Sequence, residues 1–112
     1  MARPIPRSWL FHTATLLKNP IKDDMSMEIG WEIEIPLKFV RIEISRRTIL
    51  EIRNAERRTR NRLFYDCRIS LPRGVDFVQG DGLLWEGKVY HVERPRKYPD
   101  ERGWHHWEVD LQ

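Results

Sequence analysis

Along most of the chain apolar and polar residues alternate with the period of β-strands. From 62 to 71, Leu63, Tyr65, Cys67, Ile69 and Leu71 share one face and Phe64, Asp66, Arg68 and Ser70 the other, which predicts a strand over the whole stretch. Ile29, Trp31, Ile33 and Ile35 alternate with Glu32 and Glu34 in the same way. Pro36 then interrupts, and Val40, Ile42 and Ile44 resume one position out of phase, opposite Arg41 and Glu43. A proline beside a one-residue phase shift predicts a bulge or a bend, within one long strand or between two. Trp104 to Leu111 reads as a strand with Trp107, Val109 and Leu111 inward and His106, Glu108 and Asp110 outward. Trp9 to Leu17 is a plausible first strand, but both of its faces carry apolar residues, so the pattern does not decide the inward one. Lys18-Asn19-Pro20 predicts its end, and Asp23-Asp24 marks a turn.

The most informative stretch runs from Val75 to Glu93. Gly80-Asp81-Gly82 is a cluster of turn residues, and two short apolar runs follow it, separated by Glu86-Gly87. A two-residue turn at that pair sets Trp85 across from Lys88 and Leu83 across from Tyr90. Leu83, Trp85, Tyr90 and Val92 then share a core face. Pro72-Arg73-Gly74 predicts a turn before this region, and the Pro-rich polar run from Arg94 to Gly103 predicts a loop after it. Residues 1–8, with Pro4 and Pro6, predict an extended N-terminal arm, since proline fixes φ and removes a donor. The sum is an all-β chain: one small β-barrel domain over residues 1–112, with six or seven mostly antiparallel strands. A barrel is favoured over an open sheet because closure removes exposed edges.

Residues 46–61 break this pattern. Ile49, Ile52 and Ala55 are spaced three apart, which allows a short helix, but the stripe is thin and the rest is heavily charged. The alternative is a long, basic, exposed excursion between two strands, a length that in compact domains usually signals function. Arg46, Arg47, Arg53, Arg57, Arg58, Arg60 and Arg62 stand here against only Glu51 and Glu56. They are the candidate functional residues, facing an acidic partner, a neighbouring subunit or a DNA backbone, unless they only keep the domain solvated.

Composition sharpens this only a little. The net charge is +3, with 20 basic and 17 acidic residues, and arginine outnumbers lysine fifteen to five. Arginine suits bidentate contact with carboxylate or phosphate better than a generic solvated surface requires. Twelve aromatics, five of them Trp, offset a modest apolar fraction of 40%. A single cysteine, Cys67, rules out an internal disulfide framework and fits a reducing compartment. No apolar run approaches the roughly 20 residues of a membrane span, and the first residues lack the hydrophobic stretch of a signal peptide.

Nothing in the sequence assembles a nucleophile, a base and an oxyanion donor, so no catalysis and no cofactor are expected. Cys67 on an apolar face reads as an inert thiol. His12, His91 and Cys67 lack metal-ligand spacing, and the adjacent His105 and His106 are expected on opposite faces of a strand. Gly80-Asp81-Gly82 is followed by a strand pattern, not by the helix a phosphate cradle needs.

Several segments resemble, in the same order, the small minor capsid proteins of tailed phages and prophages of Gram-positive bacteria. They are Arg3-Pro4-Ile5-Pro6 with Leu10 and His12 to Leu16, the central Leu63 to Asp66, Leu71 to Phe77, the hairpin from Gly80 to Val92, and His105 to Leu111. The resemblance spans nearly the whole chain, through motifs that are individually weak. It implies a head-closure, or stopper, protein of the head-to-tail connector: a small β-barrel that forms a ring between the portal and adaptor above and the tail below, and retains packaged DNA. Its partners would be further copies of itself, the portal or adaptor proteins and the tail-joining proteins, with non-specific DNA contact, at the head–tail joint of a virion assembled in the host cytoplasm. By that analogy the excursion lines the channel or packs on a neighbour. Two alternatives stay open: a small β-barrel nucleic-acid-binding module, and a tail-completion or tail-terminator protein on the other side of the joint.

Overall fold

A computed structural model describes residues 6–44 and 61–112. Its strands are β1 (His12–Lys22), β2 (Glu28–Glu43), β3 (Asn61–Asp66), β4 (Gly82–Trp85), β5 (Lys88–Asp100) and β6 (Gly103–Leu111). All neighbours pair antiparallel, in the closed order β1-β2-β3-β6-β5-β4 and back to β1. The expected all-β barrel is therefore present, with six strands among the described residues. Residues 1–5 of the arm and 45–60 of the excursion lie outside the described residues.

The interior is filled by alternate residues of every strand. Leu16, Leu37, Val40, Leu63, Tyr65, Leu83, Val92 and Val109 are buried in one cluster. Val75 and Phe77 join it from the irregular segment between β3 and β4. Phe77 meets Tyr65 and Trp107 edge-on, at ring-centroid distances of 5.5 and 5.3 Å, a geometry that aromatic quadrupoles favour. Backbone bonds between Lys38 and Leu71 tie the start of this segment to β2.

The tight hairpin has the expected register, with Leu83 opposite Tyr90 and Trp85 opposite Lys88. Both turn residues have positive φ, 49° at Glu86 and 76° at Gly87, the geometry that matches strand twist. The phase shift in β2 is a bulge in one continuous strand of 16 residues. It sits at Phe39, not at Pro36. Thr13 pairs with Lys38 and His12 with Val40, so Phe39 is the extra residue, at φ 57°. Leu37 and Val40 can thus both face inward although they are three positions apart.

Four boundaries differ from the sequence expectation, each for a local reason. The first strand begins at His12 rather than Trp9, because Arg7–Trp9 form a 3-10 turn at the end of the arm. It then runs through Asn19 and Pro20 to Lys22, with Asn19 absorbing a φ of 56°. The strand expected over 62–71 stops at Asp66, whose carboxylate accepts the N–H groups of Arg68 and Ile69 and turns the chain. The Ser70 hydroxyl accepts the Asp66 N–H and donates to the Phe39 carbonyl, which leaves Leu71 on the surface. Finally, the expected loop from Arg94 is strand: β5 continues to Asp100. Beyond Val92 it pairs with β6 alone, so Pro95 and Pro99 lie on an edge where a missing donor costs the ladder nothing.

Candidate functional site

The strand β2 carries the two features that distinguish this barrel, one at each end. At its C-terminal end Glu43 pairs with Arg62, so the segment between them leaves and re-enters the sheet at neighbouring positions. Arg46, Arg47, Arg53, Arg57, Arg58 and Arg60 lie outside the described residues, so they have a place in the chain order but no contacts to report. Arg62 and Asn61 are not part of an excursion; both are in β3. The Arg62 guanidinium is engaged within the barrel, by Asp110 at 3.0 Å and Glu108 at 3.4 Å. Arg96 reaches the same Asp110 oxygen at 3.1 Å, so one buried carboxylate joins β3, β6 and β5.

At the N-terminal end of β2 the hairpin with β1 runs on beyond the barrel core. Its tip is held by the Asp23 carboxylate, which accepts the N–H groups of Met25 and Met27. Met25, Met27 and Ile29 are 82, 63 and 65% exposed, with Asp24, Glu28, Glu32 and Glu34 exposed around them. Further back the hairpin is fixed to the barrel. The Trp31 ring lies over Gly82, where an added Cβ would stand 2.7 Å from it, and Glu28 contacts His91 at 3.1 Å. Lys18 and Asp81 close at 2.6 Å. The alternation of Ile29 to Ile35 suggested only a strand, and the missed signal was two methionines, Met25 and Met27, directly after Asp23-Asp24, where a solvated turn has no use for them.

A shallow groove of about 520 Å³ lies beside the bulge. Leu10 floors it, Phe11 and Phe39 wall it, and Arg7 and Lys38 stand exposed at its rim. The Arg7 guanidinium covers the Phe39 ring at 4.0 Å, and Arg41 lies 4.5 Å from Trp9 and 5.3 Å from Phe11. Trp9 in turn meets Phe64 edge-on at 5.0 Å, beside a second cleft of about 630 Å³ reached by His106 and Glu108. Sequence reasoning did not find this surface, because a 3-10 turn and a bulge residue bring its parts together.

His12 shows how the bulge is sealed. Its Nδ1 accepts the Ile42 N–H at 2.9 Å, standing in for a strand acceptor. Burial, and then the nearby Arg41 charge, lower its basicity, with Glu86 opposing. A His with a lowered folded-state pKa contributes stability above its unfolded value of 6.5, and that contribution falls as pH drops below it. The melting temperature is therefore expected to fall between pH 7 and pH 5 more steeply in the native protein than in His12→Asn, whose amide oxygen still accepts the bond. Equal slopes in the two proteins would refute this role.

The remaining titratable groups suggest structural duties. Arg68 bonds Asp100 at 2.5 Å and holds that carboxyl at about 2, well below the usual carboxylate range. Burial pushes the Cys67 thiol up, away from the thiolate a nucleophile needs. The two adjacent histidines alternate in burial along β6, His105 with Trp107 and His106 with Glu108, yet they touch: Nδ1 of His105 and Nδ1 of His106 are 2.7 Å apart, and His106 Nε2 lies 2.9 Å from Glu108. If His106 donates to Glu108, its Nδ1 accepts from His105, which fixes both neutral tautomers. Among the described residues no group of three or more His, Cys, Asp or Glu is placed to hold a metal ion. Likewise no described helix is long and apolar enough to cross a membrane. Comparison with family models, curated proteins and solved structures found no match to this chain.

Proposed function

We propose that this protein is a structural component of the head-to-tail joint of a tailed phage, of the head-closure type, acting as a ring of identical barrels between the portal and adaptor and the tail. The observation that carries this reading is the two-ended barrel. A basic insertion opens from one end of β2, and a stiff hairpin with an acidic, apolar tip extends from the other. A subunit with unlike surfaces at opposite ends suits a ring that must meet different partners on its two sides. The work such a protein does is steric and electrostatic, with weak contacts multiplied by the symmetry of the ring. The seven arginines from Arg46 to Arg62 include one, Arg62, that serves the barrel itself. In this reading the other six would face packaged DNA or a neighbour.

A second reading, a nucleic-acid-binding module, is favoured by a different observation. Arg41 lies against Trp9 and Phe11 on the outer wall, and cation-backed aromatics are what single-stranded bases stack on. A tail-completion protein would share the ring and sit on the other side of the joint.

The deciding experiment is electron microscopy of the lysate of a phage lacking this gene. Filled or leaking heads beside separate finished tails are expected, whereas normal joined virions would overturn the connector reading. Salt-sensitive binding of the isolated protein to single-stranded oligonucleotides would then favour the second.

A further inference from the structure

The hairpin tip and the groove beside the bulge are complementary surfaces on one chain. The tip presents Met25, Met27 and Ile29, with Asp24 and Glu28 beside them. The groove presents Phe11 and Phe39 over the buried Leu10, with Arg7 and Lys38 at its rim, and among the described residues no acidic side chain lines it. Flexible, polarizable methionines suit a shallow apolar groove, and the tip is acidic on balance, with Asp23, Asp24 and Glu28 against Lys22, where the groove rim is basic. The two surfaces cannot meet within one molecule. They lie at opposite ends of β1, about 30 Å apart at the rise of a strand, and Trp31 and Lys18 hold the hairpin to the barrel.

We propose that the β1–β2 tip of one copy docks into the groove of a second copy of this chain, head to tail. Unlike patches that meet in this way make a heterologous contact, which closes into a ring when the rotation allows and otherwise propagates. The inference deepens the ring-forming part of the connector reading, and its place in a virion rests on that reading. Each contact is small and weak by itself, and it gains strength by repetition around a ring.

Sedimentation velocity of the full chain, raised to about 1 mM so that weak specific contacts populate, tests it. The native protein is expected to gain mass with concentration. Met25→Ser with Met27→Ser, and separately Arg7→Glu with Lys38→Glu, should each weaken association at least about tenfold, as loss of a central contact does. All four side chains are exposed or at the surface of the groove. Asp24→Lys alone provides a second tip variant should the serine pair disturb the hairpin, with near-ultraviolet circular dichroism reporting the fold.

The decisive result comes from mixing. The tip variant keeps a groove and the groove variant keeps a tip, so an equimolar mixture should form dimers and nothing larger. A native protein that stays monomeric, a variant that associates like the native one, or a mixture that stays monomeric would overturn the proposal. These outcomes separate from those of the gene deletion. Joined virions without the gene would overturn the connector and leave the contact standing, while monomers in the centrifuge beside unjoined heads and tails would do the reverse.

Discussion

Phe77→Ala is expected to lower the free energy of unfolding by ~3–5 kcal/mol, the range for removal of a large buried aromatic. The ring is 3% exposed and is shared edge-on by Tyr65 and Trp107. Each such aromatic pair adds roughly 0.5–1.5 kcal/mol beyond the area it buries. The position is unusual in that Phe77 lies outside the strands, so side-chain burial holds its segment where no ladder does. Small domains are stable by only about 5–15 kcal/mol, so the variant should lose a large share of its stability. The urea midpoint reads the effect, and Phe77→Leu, which keeps much of the apolar volume, should fall between the two. A loss under about 0.5 kcal/mol, as at an exposed site, would place Phe77 outside the core.

Asp110→Ala should be the most damaging single change on the outer wall, at about 3 kcal/mol. Removing one partner of a buried ion pair costs ~3–5 kcal/mol, because the other charge is left unpaired. Here the carboxylate is 2% exposed, but the Arg62 and Arg96 side chains are 32 and 35% exposed and can turn toward water, which favours the low end. The loss should exceed that of Arg62→Ala, since Asp110 would then keep Arg96. Asp110→Asn, which retains an acceptor, should lie in between. Thermal unfolding of the three variants orders them. A loss no larger than the ~1 kcal/mol of a surface pair would mean that the carboxylate does not bind the three strands together.

The sequence was most legible where one residue type settles the backbone. Glu86-Gly87 fixed the register of β4 and β5, because only a two-residue turn there puts Leu83 and Tyr90 on one face. The phase slip between Ile35 and Val40 announced the bulge, although Pro36 drew it to the wrong residue. Proline misled again at 20, 95 and 99, because its cost depends on whether its nitrogen faces a partner strand, and pairing is a tertiary fact. The strand past Asp66 was misread because period-2 alternation cannot show that a carboxylate will take two backbone N–H groups and end the ladder. For the same reason the Asp110 cluster and the groove were invisible: each gathers side chains from segments far apart in the chain. The basic excursion was visible as composition alone, and charge counting could not separate Arg62, which braces the barrel, from the arginines before it.

The pairing of Glu43 with Arg62 has a consequence for how this chain can change. The chain leaves and rejoins the sheet at neighbouring ladder positions, so the barrel works as a socket for whatever connects them. Doubling the length of a flexible connection costs only ~0.6 kcal/mol of closure entropy. The buried cluster of the described residues is supplied by the six strands together with Val75 and Phe77. Insertions, deletions and wholesale exchange can therefore accumulate between β2 and β3 while the frame stays constant. The joint becomes a place where one scaffold can be refitted for a different neighbour without having to learn again how to fold.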